Sequence, residues 1–163
     1  MILKNKIEIS APAKKLWGFI ADPVRIMSWN PKIRAVIPVT LGEPKAGSQY
    51  RIRYRLISGE DNYAGELMEF EEPMRCVLHL KGGNLPARGY IQEIYQITEK
   101  GHGCLLTQTI LIGQAGIFFP RSLHIRLRHL IGAGSARHYL QKLKKLAESS
   151  ETGPASPFIQ PSS

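Results

Sequence analysis

APAKKLWGFIADPVRIMSWNP, running from Ala11 to Pro31, is the stretch that decides the fold. Ahead of it, Ile2 to Ile9 is β-like, with Ile7 and Ile9 alternating with Lys6 and Glu8. The stretch itself predicts two short helices. Pro12 sits where a first helical turn tolerates proline, and Leu16, Phe19 and Ile20 fall on one face. Asp22 followed by Pro23 predicts a second start, a capping carboxylate and then a residue preset for the first turn. Trp29-Asn30-Pro31 predicts the end of that helix, because the residue before a proline is pushed out of the α region.

From Lys32 onward the pattern is strands and turns. Strands are expected near 32–41, 47–57, 61–71, 74–81, 87–98 and 103–113. The breaks carry turn chemistry: Gly42, Pro44 and Gly47; Ser58 to Asn62; Glu72-Pro73; Gly82-Gly83-Asn84; Lys100 to Gly103. With the N-terminal strand this makes seven, and short strands joined by tight turns favour a curved antiparallel sheet.

After Gly113 to Gly116 the chain changes character. Ile117-Phe118-Phe119-Pro120 leads into a proline-free segment, about Arg121 to Glu148, with helical periodicity. Ile125, His129, Ala133, Ala136, Leu140 and Leu143 form one stripe, read as the face that grips the sheet. A second stripe, Leu123, Leu127, Leu130, Ile131 and Gly134, points roughly opposite. Two readings of it stay open: a face covered by the short helices or by a second copy in a homodimer, and an apolar lid whose Arg121, Arg126 and Arg128 meet lipid phosphates. Ser149 to Ser163, with five Ser and three Pro, cannot repay the entropy of ordering and reads as a disordered tail, leaving one domain over 1–148.

At 163 residues, 43% hydrophobic and 21% charged, the composition is that of an ordinary globular domain. No apolar run approaches the ~20 residues that span a bilayer, and Lys4, Lys6 and Glu8 interrupt any secretory leader, so a cytoplasmic location is expected. The net charge of +9 is uneven: residues 1–60 carry eleven Lys/Arg against four Asp/Glu, and residues 121–163 seven against two. Arg51, Arg53 and Arg55 alternate with Tyr50, Ile52, Tyr54 and Leu56, which is the wet face of a half-buried strand. No reading helix or stacking platform accompanies them, so no nucleic-acid partner is expected, while transient contact with an anionic membrane stays open. Cys76 and Cys104 have no second Cys or His at ligand spacing and read as small buried residues. No metal, nucleotide or serine-hydrolase signature is present, and no cofactor or metal site is expected.

Strand, paired short helices, a strand-rich region and a long last helix, in that order, resemble the START-like (SRPBCC, helix-grip) superfamily. The likeness is greatest to its polyketide cyclase/dehydrase and lipid-transport branch. Ser135 to Glu148 resembles its closing helix, and Gly101-His102-Gly103-Cys104-Leu105-Leu106-Thr107 its last hairpin, where a Thr is common at the place of Cys104. The resemblance spans about residues 3–148 and implies an α+β helix-grip fold: a seven-stranded curved antiparallel sheet, two short helices after strand 1, and a long C-terminal helix across the sheet. It further implies an apolar cavity between sheet and helix, for a lipid, polyketide, sterol-like or aromatic molecule.

In that frame Tyr50, Ile52 and Tyr54 point inward if the arginines point out. The resemblance favours the Tyr95/Ile97 face of the next-to-last strand as inward, which carries Glu93 with it. Leu106, Gln108 and Ile110 are taken as inward on the last strand. The ligand is therefore expected to meet Trp29, Tyr50, Ile52, Tyr54, Tyr95, Gln108, Phe119, His129 and Ala133. Glu93 and His129 are the candidates for acid/base work, since desolvation raises a carboxyl pKa towards the useful range. Three roles stay open: a binding protein, a polyketide cyclase/dehydratase-like enzyme, and an accessory protein of a larger enzyme complex.

Overall fold

A computed structural model describes residues 2–56, 59–114 and 133–149. Its elements are β1 (Ile2–Ile9), α1 (Ala13–Ile20), α2 (Pro23–Ile26), β2 (Ile33–Pro38), β3 (Gln49–Leu56), β4 (Gly59–Glu71), β5 (Arg75–Gly82), β6 (Gly89–Lys100), β7 (Gly103–Gln114) and α3 (Ala133–Glu148). The seven strands form one curved antiparallel sheet in the order β1-β7-β6-β5-β4-β3-β2. β1 and β2 are therefore opposite edges, and α1 and α2 carry the chain from one to the other. The α+β helix-grip fold is the one the sequence predicts.

Alternation dictates which side of the sheet is dry. On β3, Tyr50, Ile52 and Tyr54 are buried while Arg51, Arg53 and Arg55 are exposed. On β6, Ile91, Glu93, Tyr95 and Ile97 are buried, and on β7 Leu106, Gln108, Ile110 and Ile112. The helices lie against this face. α1 buries Leu16, Trp17, Phe19 and Ile20, and α3 buries Tyr139, Leu140, Leu143 and Ala147. Both thiols are buried and free, Cys76 Sγ pointing at the Ile20 carbonyl (3.7 Å) and Cys104 Sγ at that of Ala11 (3.3 Å).

Local departures from the expected boundaries have physical causes. Pro12 lies just ahead of α1, extended at its N-cap. Asp22 caps α2 by accepting from the Val24 N–H at 2.9 Å, but the regular helix stops at Ile26 and tighter turns continue to Asn30. β4 begins at Gly59, so Glu60, Asp61 and Asn62, expected in a turn, pair with Arg55, Tyr54 and Arg53. Glu60 meets Arg53 at 3.5 Å and Arg34 at 4.0 Å, an attraction that favours extending the hairpin. β2 ends at Pro38, which has no N–H for the ladder. Of the expected helix from Arg121 to Glu148, residues 121–132 and with them most of the second stripe lie outside the described residues, as does the tail beyond Ser149.

Candidate functional site

Among the described residues four buried ones are polar or charged: Asn30 and Ser48 in connections, and Glu93 and Gln108 on the dry face of β6 and β7. Two of them organise a hydrogen-bond chain through the core. Glu93, only 7% exposed, accepts from the Tyr54 hydroxyl at 3.1 Å on Oε1 and from the Tyr95 hydroxyl at 2.8 Å on Oε2. Gln108 Nε2 donates to the Tyr95 hydroxyl at 3.3 Å. Its Oε1 accepts from Tyr139 of α3 at 3.1 Å and from Asn5 of β1 at 3.3 Å. The strands set this up through register, since Tyr95 pairs with Gln108 across β6 and β7, and Gln108 with Asn5 across β7 and β1. Trp29, fully buried, packs edge-on to Tyr95 and beside Tyr139, with its Nε1 donating to the Phe19 carbonyl at 2.9 Å.

Beside this chain lies a cavity of about 20 Å³ lined by Asn30, Lys32, Tyr54, Tyr63, Leu80, Ile91, Glu93, Ile110 and Tyr139. That is room for about one water molecule. Lys32 reaches it from the turn before β2. Its Nζ is shut off from solvent and has no hydrogen-bond partner among the described residues.

Burial is the main force on these groups. It pushes the Glu93 carboxyl up from its ordinary value, against the two phenols and Lys32, which pull it down. It pushes the Lys32 ammonium down to about 8, against the attraction of Glu93. The Tyr54 and Tyr95 hydroxyls are held well above their ordinary value by burial and by Glu93, so both stay protonated donors. A carboxyl with a raised pKa, two fixed phenols and an ammonium of lowered pKa can hold a polar group and move a proton at it.

Of the residues the sequence singles out, Tyr54 and Glu93 line the cavity. Trp29, Tyr50, Ile52, Tyr95 and Gln108 are buried in the surrounding core without lining it. Ala133 opens α3, and Phe119 and His129 lie outside the described residues. Sequence reading misses Asn5, Asn30, Lys32, Tyr63 and Tyr139. Tyr139 had a signal, because Tyr139, Leu143 and Ala147 recur every four residues. Lys32, one basic residue among many in the first third of the chain, had none.

Among the described residues no helix is long and apolar enough to cross a membrane. No group of His, Cys, Asp and Glu there is arranged to hold a metal ion.

A family described as polyketide cyclase / dehydrase and lipid transport matches residues 2–148. No curated protein matches the chain. Among solved structures, a START superfamily protein from Mycobacterium smegmatis superposes with a TM-score of 0.70 at 15% identity, covering 90% of this chain and 97% of that one. A Thermus thermophilus protein gives 0.69 at 13% identity, covering 89% and 95%. A major latex-like protein of Panax ginseng gives 0.59 at 17% identity, covering 85% and 97%. At these identities the likeness is one of fold.

Proposed function

This chain belongs to the polyketide cyclase / dehydrase and lipid transport family, and from that premise we propose that it binds an apolar small molecule between the sheet and α3. One observation carries the reading. Asn30, Lys32, Tyr54, Glu93 and Tyr139 bring polar groups to one cavity whose other walls are Leu80, Ile91, Ile110 and the ring of Tyr63. A core needing only stability would gain little from a buried carboxyl and a buried ammonium there. The cavity as it stands takes no lipid, so binding widens it. Tyr139 is the wall that α3 contributes, and movement of this helix or of its side chain makes room.

Titration with the neutral solvatochromic dye Nile red tests this. The expected result is a saturable blue shift that Ile110→Phe, which fills the cavity, weakens at least tenfold. A response that does not saturate, or that Ile110→Phe leaves unchanged, overturns the reading.

The buried carboxyl favours a second reading, a cyclase- or dehydratase-like activity in which Glu93 takes and returns a proton at the bound molecule. A Glu93→Gln variant that keeps both ligand affinity and turnover removes it. The corresponding role for His129, and a docking face for an enzyme complex on the second stripe, concern residues outside those described. Transient contact with anionic membrane and a cytoplasmic location, drawn from composition, and a homodimer, drawn from the second stripe, are further proposals.

A further inference from the structure

Lys32 is pinned from both sides. Its backbone N–H donates to Asn30 Oδ1 at 3.1 Å, and its carbonyl accepts from the Arg55 N–H at 2.7 Å. A lysine in an exposed turn ordinarily runs its head out to water. Here the head turns in, to a wall of the cavity that Glu93 also lines, and no ion pair joins the two. The only other orphaned buried side-chain atom among the described residues, Arg25 Nε, belongs to a guanidinium that is otherwise engaged, donating from Nη1 to the Gly18 carbonyl. The Lys32 ammonium has three hydrogens to give and, among the described residues, gives none.

Three constraints define what would complete it. The first is chemical: an ammonium only donates, so the missing group must present an acceptor oxygen or nitrogen. The second is charge. Glu93 and Lys32 line the same cavity and attract each other, and a ligand anion would add a second negative charge beside a buried carboxyl, where unpaired charge is most costly. The third is size. Before any widening, the cavity that both side chains line has room for about one oxygen, so a one-oxygen head needs the least further opening at this end. Each Glu93 oxygen, already accepting from one phenol, keeps a lone pair for one more donor. A neutral hydroxyl meets all three conditions, accepting from Lys32 while donating to Glu93.

We propose that Lys32 and Glu93 are the polar end of the ligand site and select apolar molecules that end in one hydroxyl, an alcohol, phenol or enol. The proposal rests on the reading that the interior takes an apolar ligand, and names its class. Loss of a hydrogen bond to a buried charged group corresponds to about tenfold to hundredfold in affinity, and sites of this kind discriminate chiefly against the analogue lacking the hydroxyl.

Three probes of one size separate the possibilities on the full chain at pH 7: 1-naphthol, naphthalene and 1-naphthoate. The expected order is 1-naphthol tightest by at least about tenfold over both others. Lys32→Met should bring 1-naphthol to within about threefold of naphthalene. Naphthalene binding as tightly as 1-naphthol, 1-naphthoate binding tightest, or a preference for 1-naphthol that survives Lys32→Met each overturns the proposal. The ranking on the unaltered protein decides even if the variant does not fold. If Nile red binds and none of the three probes does, hydroxyl selection falls while the apolar site stands. If nothing binds, both fall.

Discussion

Lys32 and Glu93 set opposite pH signatures on the stability of the protein, and each can be read by substitution. The Lys32 ammonium titrates at about 8 in the fold against an ordinary 10.5. Between those values the unfolded chain holds more protons than the folded one, so stability rises with pH across the window. Below about 8 the full penalty of burying the unpartnered charge is present. Lys32→Met is therefore expected to stabilise the protein by about 1 kcal/mol at pH 7, an advantage that shrinks from pH 8 to 10.5. Urea unfolding at several pH values measures it, and a variant less stable than its parent at pH 7 contradicts the orphaned ammonium. For Glu93 the sign reverses. Burial raises its folded pKa above 4.5, so the folded state holds the extra proton and stability falls as pH climbs from 4.5 through the raised value. Glu93→Gln does not titrate and keeps an acceptor for one phenol. Its stability relative to the parent should grow from pH 4.5 up to the raised value and then level off in thermal unfolding scans, and a difference independent of pH would mean that Glu93 is not desolvated.

At the scale of elements, the close approach of the start of β7 to the end of β1 leaves no room for a side chain. Gly103 opens β7, and a Cβ there would stand 2.5 Å from the Ile9 carbonyl oxygen at the end of β1. The three nearest atoms are all backbone of Ile9 and Ser10 and cannot turn aside, so Gly103→Ala is expected to cost about 2 kcal/mol. Gly65 is the control: its Cβ would meet side-chain tips alone, Ile52 at 2.9 Å and Leu78 and Leu80 at 3.4 Å, which can turn aside, and Gly65→Ala should cost about 1 kcal/mol or less. Equal losses in the two variants, measured by chemical unfolding, would contradict this account. The same contrast between local and distant causes explains what could be read in advance. β3 and β6 announce themselves because Arg51, Arg53, Arg55 and Gln92, Gln96 alternate with apolar neighbours, and α2 because Asp22-Pro23 is a local start signal. Strand order across the sheet depends on which distant segments pair, and no short-range pattern of β1 or β2 states that they lie at opposite edges. Within the site, alternation groups Glu93 with Ile91, Tyr95 and Ile97 and Gln108 with Leu106 and Ile110, but for Glu93 it is the family resemblance that chooses the inward face. Lys32 and Asn30 face inward only because the turn after Trp29 is fixed by contacts to α1 and β3, which the local sequence does not encode.

The molecule as a whole is closed by α3, and closure joins its stability to its ligand site. The helix seats Leu143 and Ala147 with no exposed surface and Leu140 nearly so. It is tied down at its far end by Lys144 Nζ donating to the Glu8 carbonyl at 2.8 Å and by Glu148 accepting from the Ser10 N–H at 2.6 Å. One turn before Leu143, the same helix places Tyr139 against Trp29, onto Gln108 and into the cavity wall. Among the described residues α3 is tied through its C-terminal half and carries a wall of the site one turn before Leu143, so it can act as a lever. Loosening the held end must raise the frequency with which the wall moves. Leu143→Ala removes buried volume at the fulcrum without touching the cavity and should cost about 3 kcal/mol in equilibrium unfolding. If α3 is also the barrier to ligand passage, that variant will both capture and release Nile red faster in stopped-flow mixing, with a smaller change in affinity than in either rate, because helix opening lowers the same barrier in both directions. Slower capture, or rates equal to the parent's in a variant shown to be destabilised, would place the entry route elsewhere on the sheet and leave α3 a structural clamp alone.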